Sequence, residues 1–132
     1  MSMPQRLLLV DDDADDRHIF REAVQQIDPS IECILANDGL HGLSYLSDEN
    51  NPLPAYIFLD LRMHGIDGRK LLRIIKENPR LKNIPVMIYT TSTDEVESKE
   101  LVEMGATHFT SKPADPDELF YVLSVILGEK WT

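Results

Sequence analysis

Two apolar runs constrain this chain more than anything else in it, because each stops abruptly at a carboxylate. Leu7-Leu8-Leu9-Val10 ends at Asp11, and Ala55-Tyr56-Ile57-Phe58-Leu59 ends at Asp60. A short continuous apolar run is the pattern of a strand covered on both faces, as in a parallel sheet sandwiched by helices. A third such run, Ile84 to Tyr89, breaks at Thr90-Thr91-Ser92-Thr93. Helical patterns fill the intervals. From about Ala14 to Ile27 the apolar residues Ile19, Phe20, Ala23, Val24 and Ile27 recur at helical spacing. Asp13 stands ready to cap that helix, Asp15 and Asp16 occupy its first turn where the macrodipole favours acids, and Asp28-Pro29 closes it. The remaining segments continue the alternation: a strand over 31–36, a short helix over 41–46, a helix over 69–77, a helix over 94–104 that stops at Gly105, a short strand over 107–110 and a last helix over 115–127. Five strands alternating with five helices predict an α/β fold, a parallel sheet with helices on both faces.

The 132 residues suit one domain, with neither repeat nor linker. The last helix ends at Gly128 with four residues after it, so a single domain over 1–132 without an output domain is expected. The net charge of −10, from 23 acids against 13 bases, repels phosphate backbones and argues against direct nucleic-acid binding. No apolar run approaches the roughly 18–20 residues that span a bilayer, and the start lacks the apolar core of a signal peptide. Cys33 is the sole cysteine and has no internal disulfide partner. No membrane insertion and a cytoplasmic location are therefore expected.

In an open α/β sheet, ligands bind beyond the carboxyl ends of the strands. Those ends deliver Asp11 and Asp12 from strand one, Asp60 from strand three, Thr90 from strand four and Lys112 from strand five. Carboxylates ~4 Å apart at an effective dielectric of ~20 repel by about 4 kcal/mol per pair, so three together call for a cation. An all-oxygen site with room for water suits Mg²⁺. Lys112 adds fixed positive charge, and the Thr90 hydroxyl a neutral hydrogen bond. Metal, cation, donor and carboxylate nucleophile together suit in-line phosphoryl transfer to a side chain.

With these residues in order, the chain resembles the response-regulator receiver domains of two-component signalling over essentially its whole length. The resemblance is carried by Leu7 to Asp12, Ile57 to Met63, Gly65-Ile66-Asp67-Gly68, Pro85 to Thr90 and Ser111-Lys112-Pro113. It implies a flavodoxin-like doubly wound sheet in strand order 2-1-3-4-5. It further implies that Asp60 accepts a phosphoryl group from the phosphohistidine of a sensor kinase or phosphotransfer protein, with Mg²⁺ held by Asp12 directly, by Asp11 through water, by Asp60 and by the backbone carbonyl of Arg62. Thr90 and Lys112 would bind the phosphoryl oxygens, and the Lys112-Pro113 peptide would be cis. Thr90 and Phe109 would form the switch, shifting the face made by the fourth helix, fifth strand and fifth helix, where a downstream partner or a second copy docks. Slow self-dephosphorylation would reset the signal, so the protein is read as a switch, not an enzyme. His64 replaces the family's usual proline, and Arg62 and Ser92 stand at variable positions that affect phosphoryl lifetime.

Other readings are less economical. Asp13, Asp38 and Asp67 read as helix caps, Thr91, Ser92 and Thr93 as loop residues, and Cys33 as core. His18, His41, His64 and His108 are scattered without metal-ligand spacing. A haloacid-dehalogenase-type phosphatase would need an acid where Arg62 stands, and a flavodoxin-type cofactor binder would find its phosphate repelled by Asp11-Asp12-Asp13. A degenerate receiver used as a scaffold would be expected to lose one of the acids, Thr90 or Lys112, and all are present. The final helix is apolar on more than one face, which with Tyr121 and Trp131 offers a docking or dimer surface.

Overall fold

The computed structural model describes residues 6–63, 65–91 and 94–128. Along these the elements run β1 (Arg6–Val10), α1 (Ala14–Ile27), β2 (Glu32–Ala36), α2 (Gly39–Ser47), β3 (Tyr56–Leu59), α3 (Gly68–Glu77), β4 (Val86–Thr90), α4 (Glu95–Glu103), β5 (His108–Ser111) and α5 (Pro116–Gly128). The five strands form one parallel sheet in the order β2-β1-β3-β4-β5, the doubly wound flavodoxin-like arrangement expected from the sequence.

Strand alternation divides the core into two layers. Leu8, Val10, Ile57, Leu59, Val86 and Ile88 face the layer that contains Leu71, Leu72 and Ile75 of α3 and Leu101 of α4. Leu7, Leu9, Phe58, Met87 and Tyr89 face the other, with Phe20 and Val24 of α1 and Leu119, Leu123, Ile126 and Leu127 of α5. Each such side chain contributes about 1.5–3 kcal/mol by leaving water. Both layers lie beneath the carboxyl ends of the strands and give the polar residues there a rigid floor. Phe20 packs edge-on against Phe58 and Tyr89, with ring centroids 5.0 and 5.5 Å apart.

Local chemistry sets the boundaries. Asp13, Asp38, Asp67 and Asp94 each accept a backbone N–H from the first turn of the helix that follows. α2 accordingly begins at Gly39, before the expected His41. The fifth helix starts at Pro116, whose missing N–H costs nothing in a first turn, and Asp115 accepts the N–H of Glu118 at 2.8 Å. β4 begins at Val86 rather than Ile84, because the intervening Pro85 has no N–H for the ladder. Cys33 packs against the α1–α5 layer, and burial pushes its thiol up to about 12. Among the described residues, no helix is long and apolar enough to cross a membrane.

Candidate phosphoryl and metal site

β1 passes the chain to Asp11 and β3 passes it to Asp60, and both carboxylates are buried. The strands lock these positions together: Asp60 N–H donates to the Val10 carbonyl at 3.0 Å, and Asp11 N–H to that of Ala36 at 3.2 Å. One oxygen of each carboxylate is committed to backbone. Asp11 Oδ1 accepts from Asp13 N–H at 3.0 Å, and Asp60 Oδ1 from Arg62 N–H at 3.2 Å. Arg17 Nη1 fixes the Asp11 carbonyl at 2.8 Å. The other oxygens turn inward, towards one ammonium.

That ammonium is Lys112 Nζ. It donates to Asp60 Oδ2 at 2.9 Å and to Asp16 Oδ2 at 2.8 Å. Asp11 Oδ2 lies 2.8 Å from it, as an ion pair outside hydrogen-bonding geometry. The Tyr89 ring stands 5.6 Å away and the Lys112 backbone N–H holds the Thr90 carbonyl at 2.8 Å, so the side chain is pinned at both ends. Burial would depress the Lys112 pKa, but the three carboxylates outweigh it and hold the ammonium above the ordinary lysine value. Burial pushes Asp11 up to about 6, against the opposing pull of Lys112 and of the Asp13 N–H, while the Asp60 charge adds to the rise.

Asp11, Asp12 and Asp60 each offer an oxygen within 4.8 Å of the others. Asp12 reaches solvent whereas its two neighbours do not. Thr90, fully buried at the end of β4, keeps its Oγ1 without a hydrogen-bond partner. A buried hydroxyl left in that state costs about 1–3 kcal/mol, so the rim carries an unspent donor beside a cluster of excess negative charge. Hard oxygen ligands and surplus negative charge fit a small divalent cation.

The sequence-predicted residues Asp11, Asp12, Asp60, Thr90 and Lys112 thus meet at one edge of the sheet. Arg62 follows Asp60 in the loop, but its guanidinium turns outward, 3.6 Å from Glu97 on α4. Phe109, half-buried against the α3–α4 layer, pairs with Ile88 and lies two residues below the Thr90–Ser111 pair. Thr91 is exposed, and His64, Ser92 and Thr93 fall outside the described residues. No histidine joins the acidic cluster among the described residues.

One expectation is corrected: no peptide bond is cis among the described residues, so Lys112–Pro113 is trans. The trans isomer of an X-Pro bond is favoured by about 0.5–1 kcal/mol, and the trans turn already seats Lys112 Nζ among its carboxylates. Sequence reasoning also missed Asp16, which it assigned to the helix dipole. Of the three acids around the first turn of α1, only the fold singles out the one that turns to the site.

Comparison with known proteins agrees with this geometry. Residues 7–124 match the family described as Response regulator receiver domain. The response regulator Rcp1 of Synechocystis sp. is 34% identical over 127 residues, covering 93% of this chain and 86% of Rcp1. The probable transcriptional regulator ycf29 of Pyropia yezoensis is 30% identical over 128 residues, and the match spans 54% of that protein. Among solved structures, the Mn²⁺-bound form of Rcp1 aligns with a TM-score of 0.86 and 32% identity, covering 96% of this chain and 97% of the other. The phosphorylated cyanobacterial phytochrome response regulator RcpA aligns with a TM-score of 0.85 and 30% identity, covering 92% and 90%. With the sheet order, the acidic rim and the family match in agreement, this chain belongs to the response regulator receiver domains of two-component signalling.

Proposed function

We propose that Asp60 is the phosphoacceptor of this receiver domain and that Asp11, Asp12, Asp60 and the Arg62 carbonyl hold Mg²⁺ beside it. One observation carries the reading: a buried ammonium lies 2.9 Å from Asp60 Oδ2, at a rim where three carboxylates converge within 4.8 Å. Asp60 attacks the phosphorus of a phosphohistidine; an O–P bond forms, the N–P bond breaks, and the imidazole leaves. Lys112 then passes its Asp60-facing N–H to a phosphoryl oxygen, and the Thr90 hydroxyl supplies a second donor. Bound Mg²⁺ supplies charge neutralisation at the acceptor oxygen. Asp60 and Lys112 are held in place before the phosphoryl arrives, so little reorganisation of the acceptor opposes the transfer.

The phosphoryl group favours the arrangement with Thr90 drawn in and Phe109 buried. It thereby shifts the α4–β5–α5 face towards its partner-binding form. Phe109 has no hydroxyl to hold its ring at the surface, which supports the buried state. Water removes the phosphoryl slowly, so the chain acts as a resettable switch. The phosphodonor is a histidine kinase or phosphotransfer protein, and the likeness to RcpA makes a phytochrome-linked kinase the first to test. The downstream partner is a protein, and a second copy of this chain is the case to examine first, because Tyr121 on α5 is 69% exposed and Val102 on α4 is 52% exposed. One unchanging monomer in sedimentation, with and without beryllofluoride, would exclude the second copy.

Acetyl phosphate with Mg²⁺ is expected to add one phosphoryl group, readable as intact mass, and Asp60→Asn or EDTA to abolish it. An unmodified wild-type mass after both acetyl phosphate and kinase treatment would overturn the assignment. Binding of Mg²⁺ is expected to weaken as the pH falls through about 6, because Asp11 then takes up the proton that its burial favours.

A further inference from the structure

The Lys112 ammonium has three N–H donors and faces three carboxylates, Asp11, Asp16 and Asp60, at 2.8, 2.8 and 2.9 Å. Two of these acids also belong to the cluster that the reading above assigns to a divalent ion, and Asp16 does not. This difference matters for charge. A divalent cation entering among Asp11, Asp12 and Asp60 meets the ammonium already seated against two of them, and like charges at such range repel strongly. The ammonium is shielded from water, its side chain being only 8% exposed. The Tyr89 ring stands on one side of it, and Lys112 and Asp16 together line a hollow of about 100 Å³ with Pro113, Ala114 and Asp115. Asp16, itself 35% exposed on the first turn of α1, presents a carboxylate to the ammonium without belonging to that cluster.

We propose that Asp16 is a positioning residue that parks the Lys112 ammonium on the α1 side of the site, so that the divalent ion can enter the Asp11–Asp12–Asp60 cluster beside it. The proposal rests on reading that cluster as an ion site. Asp16 gives Lys112 a counter-charge of its own, and Asp11 and Asp60 are left free to share theirs with the metal. The same contact ties α1 to the β5–α5 turn across 96 residues of sequence.

The test is Mg²⁺ affinity by isothermal titration, which reads the ion site without any phosphoryl chemistry. Asp16→Asn keeps the side-chain shape and removes the charge; the Mg²⁺ Kd is expected to rise about three- to tenfold at moderate salt, as one unit charge lost within a few ångströms of the ammonium implies. Asp16→Glu is expected to restore most of the affinity. Asp15→Asn removes the same charge from an exposed neighbour on the same turn and is expected to leave the Kd within twofold of wild type, as screening at the surface requires. In a Lys112→Met background the effect of Asp16→Asn should largely vanish, since no ammonium remains to park. An unchanged Kd in Asp16→Asn, or an equal loss in the Lys112→Met background, overturns the role of Asp16. Absence of Mg²⁺ binding by the wild-type protein overturns the ion site itself, and this inference with it.

Discussion

Helices α3 and α4 follow one another in the chain and pack into the same apolar layer, yet they are held by different forces. α3 buries Gly68, Leu71, Leu72 and Ile75, and its first residue lies against the backbone of Asp60. α4 buries Leu101 alone, while Val96 is 67% and Val102 52% exposed. What holds α4 besides Leu101 is charge. Arg69 of α3 reaches Glu97 at 3.3 Å and Glu100 at 3.2 Å, and Arg62 from the loop after Asp60 reaches Glu97. Burial contributes about 1.5–3 kcal/mol per large side chain, whereas partly exposed ion pairs contribute about 0.2–1 kcal/mol each. The first helix is therefore an anchor for the site, and the second is an element that can shift at low cost. A switch needs both kinds. The contrast also gives a physical basis for placing the readout on α4 and its neighbours.

The largest expected difference is in the core. Leu72→Ala should cost about 2–5 kcal/mol in urea unfolding, whereas Val102→Ala should stay within about 0.5 kcal/mol. Equal losses would end the comparison. Next comes Gly68→Ala, whose Cβ would collide with the Asp60 carbonyl oxygen and stand 2.6 Å from Leu61 Cα. Neither is a flexible side chain, so about 1–3 kcal/mol of strain is expected, together with slower labelling by acetyl phosphate because Asp60 is pushed from its seat. A normal labelling rate would show that α3 does not position the nucleophile. Asp94→Ala removes the cap that accepts Val96 N–H at 2.9 Å and should cost about 0.5–2 kcal/mol. Hydrogen exchange should quicken in α4 and stay unchanged in α3, and a rise shared by both would mean that they open as one unit. The smallest effect belongs to Glu97→Gln, which should lower stability by less than about 1 kcal/mol and loosen α4, an effect that high salt should reproduce in the wild type.

The α3–α4 contrast was only half legible in the sequence. The apolar residues of α3 recur at helical spacing and announce a buried face. α4 shows only Val96, Leu101 and Val102 among charged residues, and nothing local says that Arg69 and Arg62 will meet its glutamates. The caps were readable because a cap acts within three residues, which is why Asp13, Asp38 and Asp67 behave as their positions suggested. The Lys112–Pro113 isomer was not readable, since it depends on the turn that seats the lysine and not on the dipeptide. On α5, Phe120, Tyr121 and Val125 are exposed, and Trp131 lies outside the described residues.

By itself the sequence determined the alternation of strands and helices, the carboxylates at the ends of β1 and β3, and the threonine and lysine at the ends of β4 and β5. All of these follow from short-range periodicity and from where each apolar run stops. The tertiary structure alone decided that Asp16 rather than Asp15 reaches Lys112, that Thr90 Oγ1 is left without a partner, and that Arg62 leans towards α4. Those outcomes depend on the angles at which helices settle on the sheet. Such angles are set by packing between residues far apart in the chain, and no local pattern encodes them.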